Sequence, residues 1–222
     1  MARTGTRLTG ASPGDAITGG DGPLHPAFET FNGGGTENLK HFLRWTSALA
    51  VCAQEVKRLS QDDVDEFSQW ANGMGWDSII SRALRGPNGG ASAGAAILAR
   101  RQLGLRHPDS GTWEIRRGRA VAGVVTLPDM PPMFLVSSYF QSGVGLDRFN
   151  GHLLATVAQS IEAADMPFVW AADFNMNPQL VAKSDIQKRL NAALIAPTGP
   201  TCRSGLAANT IDFFLSDAMT AR

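Results

Sequence analysis

Three acidic side chains stand where apolar segments end. The run from Ala48 to Ala53 gives way to Gln54-Glu55. Phe168-Val169-Trp170-Ala171-Ala172 leads straight into Asp173-Phe174-Asn175, and Ile211 is followed at once by Asp212 and then Phe213-Phe214-Leu215. A carboxylate beside a buried strand is costly to desolvate unless something pairs with it. In sheets covered by helices, functional side chains gather at strand ends, where loops open a crevice. Hard oxygen donors of this kind, with water completing the shell, suit Mg²⁺ or Mn²⁺ better than zinc. Taken singly, each carboxylate could also be a helix cap, a turn residue or one half of an ion pair. Asp173 and Asn175, just ahead of Pro178, could simply cap the next helix. Their joint occurrence at three strand ends is what points to a site.

The elements that must position them are legible as alternating apolar runs and amphipathic stretches, the pattern of an α/β or layered α+β domain. Strands are predicted over 28–32, 48–54, 93–99, 119–127, 133–140, 167–173 and 211–216, several of them apolar on both faces as central strands are. The clearest helix follows Ser60: Asp62, Asp63, Asp65 and Glu66 crowd its start, Val64, Phe67, Trp70 and Met74 recur at helical spacing, and Gly73 and Gly75 end it. Phe67, Trp70 and Met74 read as core. Further helices are predicted over 147–164, 37–46 and 179–194. Residues 1–27 are rich in Gly, Thr, Ser and Pro and carry no periodicity, so a flexible lead-in is expected before one domain spanning 28–222.

With 222 residues, 43% of them hydrophobic and 18% charged, the chain is a globular domain rather than a disordered one. Its formal net charge is zero, which removes the easy inference of a generally basic nucleic-acid binder. The two cysteines, Cys52 and Cys202, provide neither a disulfide framework nor a zinc site. No apolar run approaches the roughly 18 residues of a membrane span, and no secretory leader is visible, so an intracellular protein without membrane association is expected. The neutrality hides one uneven region. Residues 82–119 hold 8 arginines (Arg82, Arg85, Arg100, Arg101, Arg106, Arg116, Arg117 and Arg119) against 2 acidic side chains. A solvated strand-and-loop face accounts for this; so does a track for phosphodiesters, which suit the guanidinium fork.

Six motifs follow one another in order: Phe31-Asn32-Gly33; Cys52-Ala53-Gln54-Glu55; Gly94-Ala95-Ala96-Ile97-Leu98; Ser137-Ser138-Tyr139; Ala172-Asp173-Phe174-Asn175-Met176-Asn177-Pro178; and Thr210-Ile211-Asp212-Phe213-Phe214-Leu215. Together they resemble the endonuclease/exonuclease/phosphatase superfamily over residues 28–217, with its apurinic-site endonucleases and retrotransposon endonuclease domains. The resemblance implies a four-layer α/β sandwich, two mixed sheets packed face to face with helices outside. It implies metal-assisted phosphodiester hydrolysis with Mg²⁺ or Mn²⁺, in which Asn32 and Glu55 serve the metal and Tyr139 touches the scissile phosphate. Asp173 would position or deprotonate the attacking water, Asn175 would hold the phosphate or metal shell, and Asp212 matches the aspartate that orients a catalytic histidine. Arg82, Arg85 and Arg119 are the candidate substrate contacts, and DNA is the expected partner; no obligate protein partner is evident. Pro200-Thr201-Cys202-Arg203 ahead of Thr210-Ile211-Asp212 resembles retroelement endonucleases. A phosphatase or phospholipid diesterase on the same scaffold is the alternative.

Two departures stand out. The family's glycine before Asp-x-Asn is Ala172 here, a change expected to crowd the turn. The closing Ser-Asp-His is missing: His25, His41, His107 and His152 all precede Asp173, and the sequence runs to Arg222 without another histidine. The resemblance therefore implies a C-terminally incomplete copy, its last strand or strands absent, or an inactive remnant.

Overall fold

The computed structural model describes residues 6–8, 28–109, 111–204 and 207–217. The first half of the chain forms β1 (Thr6–Leu8), β2 (Phe28–Asn32), α1 (Thr36–Trp45), β3 (Ala50–Gln54), α2 (Gln61–Gly73) and β4 (Trp76–Ile80). A small ribbon of β5 (Leu84–Arg85) and β6 (Ala91–Ser92) then leads to β7 (Ala95–Arg100). The second half forms β8 (Ala120–Val125), β9 (Met133–Tyr139), α3 (Arg148–Ala164), β10 (Phe168–Asp173), α4 (Pro178–Ala182), α5 (Ile186–Arg189) and β11 (Ala192–Ile195). Another ribbon, β12 (Cys202–Ser204) and β13 (Ala207–Asn209), precedes β14 (Asp212–Asp217). The strands order as β1-β2-β3-β7-β4 in one sheet and β11-β14-β10-β9-β8 in the other. Among the described strands only β2–β3 and β9–β10 pair in parallel, each across a helical crossover, α1 and α3.

The pleat sends alternate residues of each central strand into different layers. Phe28, Ala50, Cys52 and Ile97 of the first sheet meet Leu135, Val169, Ala171 and Phe214 of the second in the layer between the sheets. Val51, Ala96 and Leu98 face outward, under Leu39 and Leu43 of α1 and Val64 and Phe67 of α2. On the other side Val136, Trp170 and Phe213 lie under Leu153, Val157 and Ile161 of α3. The result is four layers: helices, sheet, sheet, helices. Removing a large buried side chain from any of them costs about 2–5 kcal/mol.

Helix α2 starts as its sequence dictates. The Ser60 hydroxyl accepts from Asp63 N–H and the Asp63 carboxylate accepts from Ser60 N–H, a reciprocal cap. These hydrogen bonds hold the Asp63 carboxyl below its ordinary pKa. Phe67 is fully buried and Trp70 half-buried, but Met74, expected in the core, is 41% exposed. It occupies the C-cap, beyond the buried stripe, and Gly75 in the left-handed region turns the chain away.

The predicted helix over 179–194 is instead two short helices and a strand. Asp185 (φ 59°) and Asn191 (φ 49°) adopt left-handed backbone that no α-helix continues through, and the chain after Asn191 becomes β11 at the edge of the second sheet. Within the expected lead-in, Thr6–Leu8 pairs antiparallel with β2. The remainder of 1–27 lies outside the described residues. Strand β4 was also not foreseen. No helix among the described residues is long and apolar enough to cross a membrane.

Candidate functional site

The same pleat that builds the inter-sheet layer delivers the polar residues to one end of it. Asn32 lies four residues beyond Phe28, Gln54 four beyond Ala50, Tyr139 four beyond Leu135, and Asp173 four beyond Val169, so all share the inward parity of those core residues. Asp212 precedes Phe214 by two and does the same. Register completes the alignment: Asn32 pairs with Gln54, Tyr139 with Asp173, and Asp173 with Asp212.

Side-chain hydrogen bonds link the sheets at this rim. Asn32 Nδ2 donates to Asp173 Oδ2 at 2.6 Å, and the Tyr139 hydroxyl donates to Glu55 Oε1 at 2.7 Å. Asp173 is fully buried, and its Oδ1 accepts from Asn175 N–H at 3.0 Å. Asn175 sits in the left-handed region (φ 51°), which turns the chain after β10, while its Nδ2 donates to Phe140 O at 2.8 Å. Ala172 belongs to the regular part of β10 with its side chain in the outer, helix-side core, so the turn is made three residues later and is not crowded by it. Asp212 is buried, its N–H donating to Thr201 Oγ1, which also accepts from Ile211 N–H, each at 3.0 Å.

Glu55 is held by an unusual loop. Both Glu55 (φ 55°) and Lys57 (φ 58°) are left-handed, and Val56 and Lys57 N–H donate to Gly94 O and Ala93 O. Non-glycine residues in this region cost about 1–2 kcal/mol each, so the surrounding hydrogen bonds fix the Glu55 carboxylate at the rim. Lys57 Nζ lies 3.1 Å from Glu55 Oε2. Nothing in the spacing of the sequence singled out Lys57; its one signal is the Glu-x-Lys interval. One layer below, Gln54 ties the sheets together. Its Oε1 accepts from Thr30 Oγ1 at 3.2 Å, and its Nε2 donates to Ser137 Oγ at 3.2 Å.

Arg119 completes the cluster. It immediately precedes β8, with its guanidinium 5.1 Å from the Tyr139 ring centroid and 5.6 Å from that of Phe149. Burial lowers its pKa, opposed by the Tyr139 and Glu55 charges; an arginine stays protonated regardless. Burial raises the Tyr139 pKa, reinforced by the Glu55 charge, the hydrogen bond to Glu55 and the Asp173 charge, so the phenol keeps its proton. Of the other candidate arginines, Arg85 lines a separate cavity with Arg117, and Arg82 lies with its carbonyl against Gly118. The described histidines lie elsewhere: His41 on α1, His107 stacked on Trp113, His152 on α3.

Among the described residues no three His, Cys, Asp or Glu side chains form a metal-holding group, so Glu55, Asp173 and Asp212 are not a carboxylate triplet around one ion. The donor set that does fit a hard cation is smaller: the Glu55 carboxylate with the Asn32 amide. Gly34 N–H donates to Asn32 Oδ1, and a Cβ on Gly34 would lie 3.8 Å from Glu55 Oε2, so the two side chains flank one glycine. Lys57 shows that a cation is already drawn to this carboxylate. One or two carboxylates plus water and substrate phosphate is how Mg²⁺ is commonly held.

A four-layer sandwich with acid, amide and phenol side chains at one rim of its two sheets defines a hydrolase class. The chain belongs to the Endonuclease/Exonuclease/phosphatase family, whose model matches residues 30–222. Among solved structures it resembles the endonuclease domain of TRAS1, a telomere-specific non-LTR retrotransposon, with 15% identity, TM-score 0.57, and 86% of this chain and 85% of that one covered. Humanized D. rerio TDP2 aligns with 17% identity, TM-score 0.59 and coverage of 88% and 84%. ANGEL2, a 2′,3′-cyclic phosphatase, aligns with 13% identity, TM-score 0.57 and coverage of 83% and 72%. At these identities the likeness is one of fold. No curated protein sequence matches the chain.

Proposed function

We propose that the protein is a divalent-metal-dependent phosphodiester hydrolase acting on nucleic acid, with DNA as the substrate. The observation that carries this reading is the cross-sheet cluster: Asn32 bonded to Asp173, Tyr139 bonded to Glu55, and Arg119 over Tyr139. Glu55 and Asn32 would hold Mg²⁺ or Mn²⁺, which when bound supplies charge neutralisation at the phosphate oxygens. The chain's own residues supply the rest. Asp173, its Oδ2 accepting from Asn32 Nδ2 and its Oδ1 from Asn175 N–H, is the carboxylate oriented to take a water proton. Tyr139, whose single proton goes to Glu55 in this structure, would turn it to the phosphate when substrate and metal engage Glu55, and Arg119 adds a charged fork to the same face. Asn175 and Asp212 buttress the loop and strand that carry Asp173.

DNA is favoured by the arginine excess of residues 82–119, part of which converges on this rim through Arg119. Among structures with the same fold, TDP2 has been crystallised with a single-strand DNA product. The phosphatase reading draws on ANGEL2, which shares the fold. The test is incubation with Mg²⁺ or Mn²⁺ and either supercoiled plasmid or phosphate monoesters and phosphoinositides. Nicking that EDTA abolishes is the expected result. An intact plasmid alongside released phosphate would move the assignment to the phosphatase, and inertness toward every substrate would identify a remnant.

A further inference from the structure

Beside Phe149, whose ring the Arg119 guanidinium faces, lies a cavity of about 400 Å³, lined by Arg116, Asp147, Arg148, Phe149, His152 and Leu153. Leu153 is its buried floor. Asp147 is committed to the cap of α3, its Oδ1 accepting from Asn150 N–H at 2.8 Å, so its charge is tied into the helix start. The remaining walls are two arginines, a histidine and a half-buried phenylalanine. The Arg116 guanidinium lies 5.8 Å from the Phe149 ring centroid. Arg119 lies over the same ring and over Tyr139, so it links a wall of this cavity to the rim cluster.

Two other cavities lack this combination. One pairs Arg85 with Arg117 but has only Leu59, Ser60, Ala83 and Leu84 around them and no aromatic ring. The other contains Arg189, whose Nε and terminal nitrogen both donate to Glu162. Guanidinium forks match phosphate oxygens, and an aromatic face accepts any nucleobase by stacking. The volume lies within the range of small-ligand sites.

We propose that this cavity is a nucleotide subsite. It takes the nucleotide next to the scissile phosphate, its own phosphate held between Arg116 and Arg148 and its base against Phe149, with Arg119 keeping the two sites in fixed relation. This rests on the hydrolase reading above and specifies its substrate as a polynucleotide. A lipid headgroup or an isolated phosphate has no aromatic base to stack and would leave Phe149 unused.

Binding tests this without turnover. The full chain, in EDTA, is titrated calorimetrically with adenosine 3′,5′-bisphosphate, 2-deoxyribose 5-phosphate, adenosine and inorganic phosphate. The bisphosphate should bind about tenfold or more tighter than any of the others. Arg116→Ala should weaken it by about tenfold, Arg116→Lys by less, and Phe149→Ala should erase the advantage over the base-free sugar phosphate. Melting curves followed by circular dichroism establish that each variant is folded. No saturable binding, equal affinity for inorganic phosphate, or indifference to both alanine variants would each overturn the subsite. Plasmid nicking without nucleotide binding would refute the subsite and leave the hydrolase standing; nucleotide binding without nicking would do the reverse.

Discussion

The two halves of the chain share an architecture and differ at their rims. Each runs strand, strand, helix, strand, helical stretch, strand, ribbon, strand, and in each the first pair is antiparallel, the second parallel and the last two antiparallel. The loops after β3 and β10 are therefore equivalent, and both contain a left-handed residue, Glu55 and Asn175. They are supported differently. The β10 loop rests on side chains: Phe174 stacks on Phe213 at 4.1 Å and on Phe140 at 5.1 Å, with Trp170 at 5.5 Å. The β3 loop is held by its backbone, through the bonds to Ala93 and Gly94. Repeating a topology thus brings two equivalent loops face to face while leaving each free to evolve its own chemistry: cation-attracting oxygens on one side, a buried carboxylate and a phenol on the other.

If the halves divide the work in this way, Asp173→Asn should lower the rate of plasmid nicking by about 10³-fold at saturating Mg²⁺. Glu55→Gln should act first on the Mg²⁺ concentration required. Equal shifts in metal requirement for both variants would break the division. Next in size, Phe174→Ala should cost about 3–5 kcal/mol in denaturant unfolding, because it empties the centre of the aromatic stack. Tyr139→Phe should lower nicking by about 10–100-fold, the worth of one hydrogen bond to a charged group. Tyr139 is the sole tyrosine, so tyrosinate absorbance reports it alone. The phenol should ionise near 10 when the chain is denatured and at higher pH when it is folded, since its folded pKa is raised. Its contribution to stability is then fully present below that denatured value and is lost as pH rises through the folded one. A folded titration near the denatured value would contradict the partly buried Glu55 contact. The smallest effect belongs to the other loop. Gly94→Ala, at φ +95° with its Cβ 3.0 Å from Lys57 N, should cost about 1–2 kcal/mol and be seen as a lower melting temperature.

Central strands were legible because they are apolar on both faces, and the inward parity of Asn32, Tyr139, Asp173 and Asp212 follows from counting by twos along them. What escaped the sequence was short or non-local. Strand β4 is five residues, Trp76–Ile80, with two polar positions, and gains its place by pairing with β7 and packing Trp76 and Ile80 beneath α2. The stretch 179–194 has helical spacing, but Asp185 and Asn191 interrupt it and β14 recruits its end as a strand. The Lys57–Glu55 pair depends on left-handed backbone at two non-glycine residues, which spacing does not announce. Arg119 was identified as one of a run of arginines. Its insertion between Tyr139 and Phe149 depends on bringing residue 149, on another element, against the start of β8.

Cys52 carries a practical consequence. Its side chain lies in the layer between the sheets, 4% exposed, and burial pushes its thiol up to about 12, whereas Cys202 is partly accessible. Alkylating reagents attack the thiolate, so the native molecule should take up one equivalent at Cys202 and resist a second. The slow arrival of that second label would time how often the two sheets come apart.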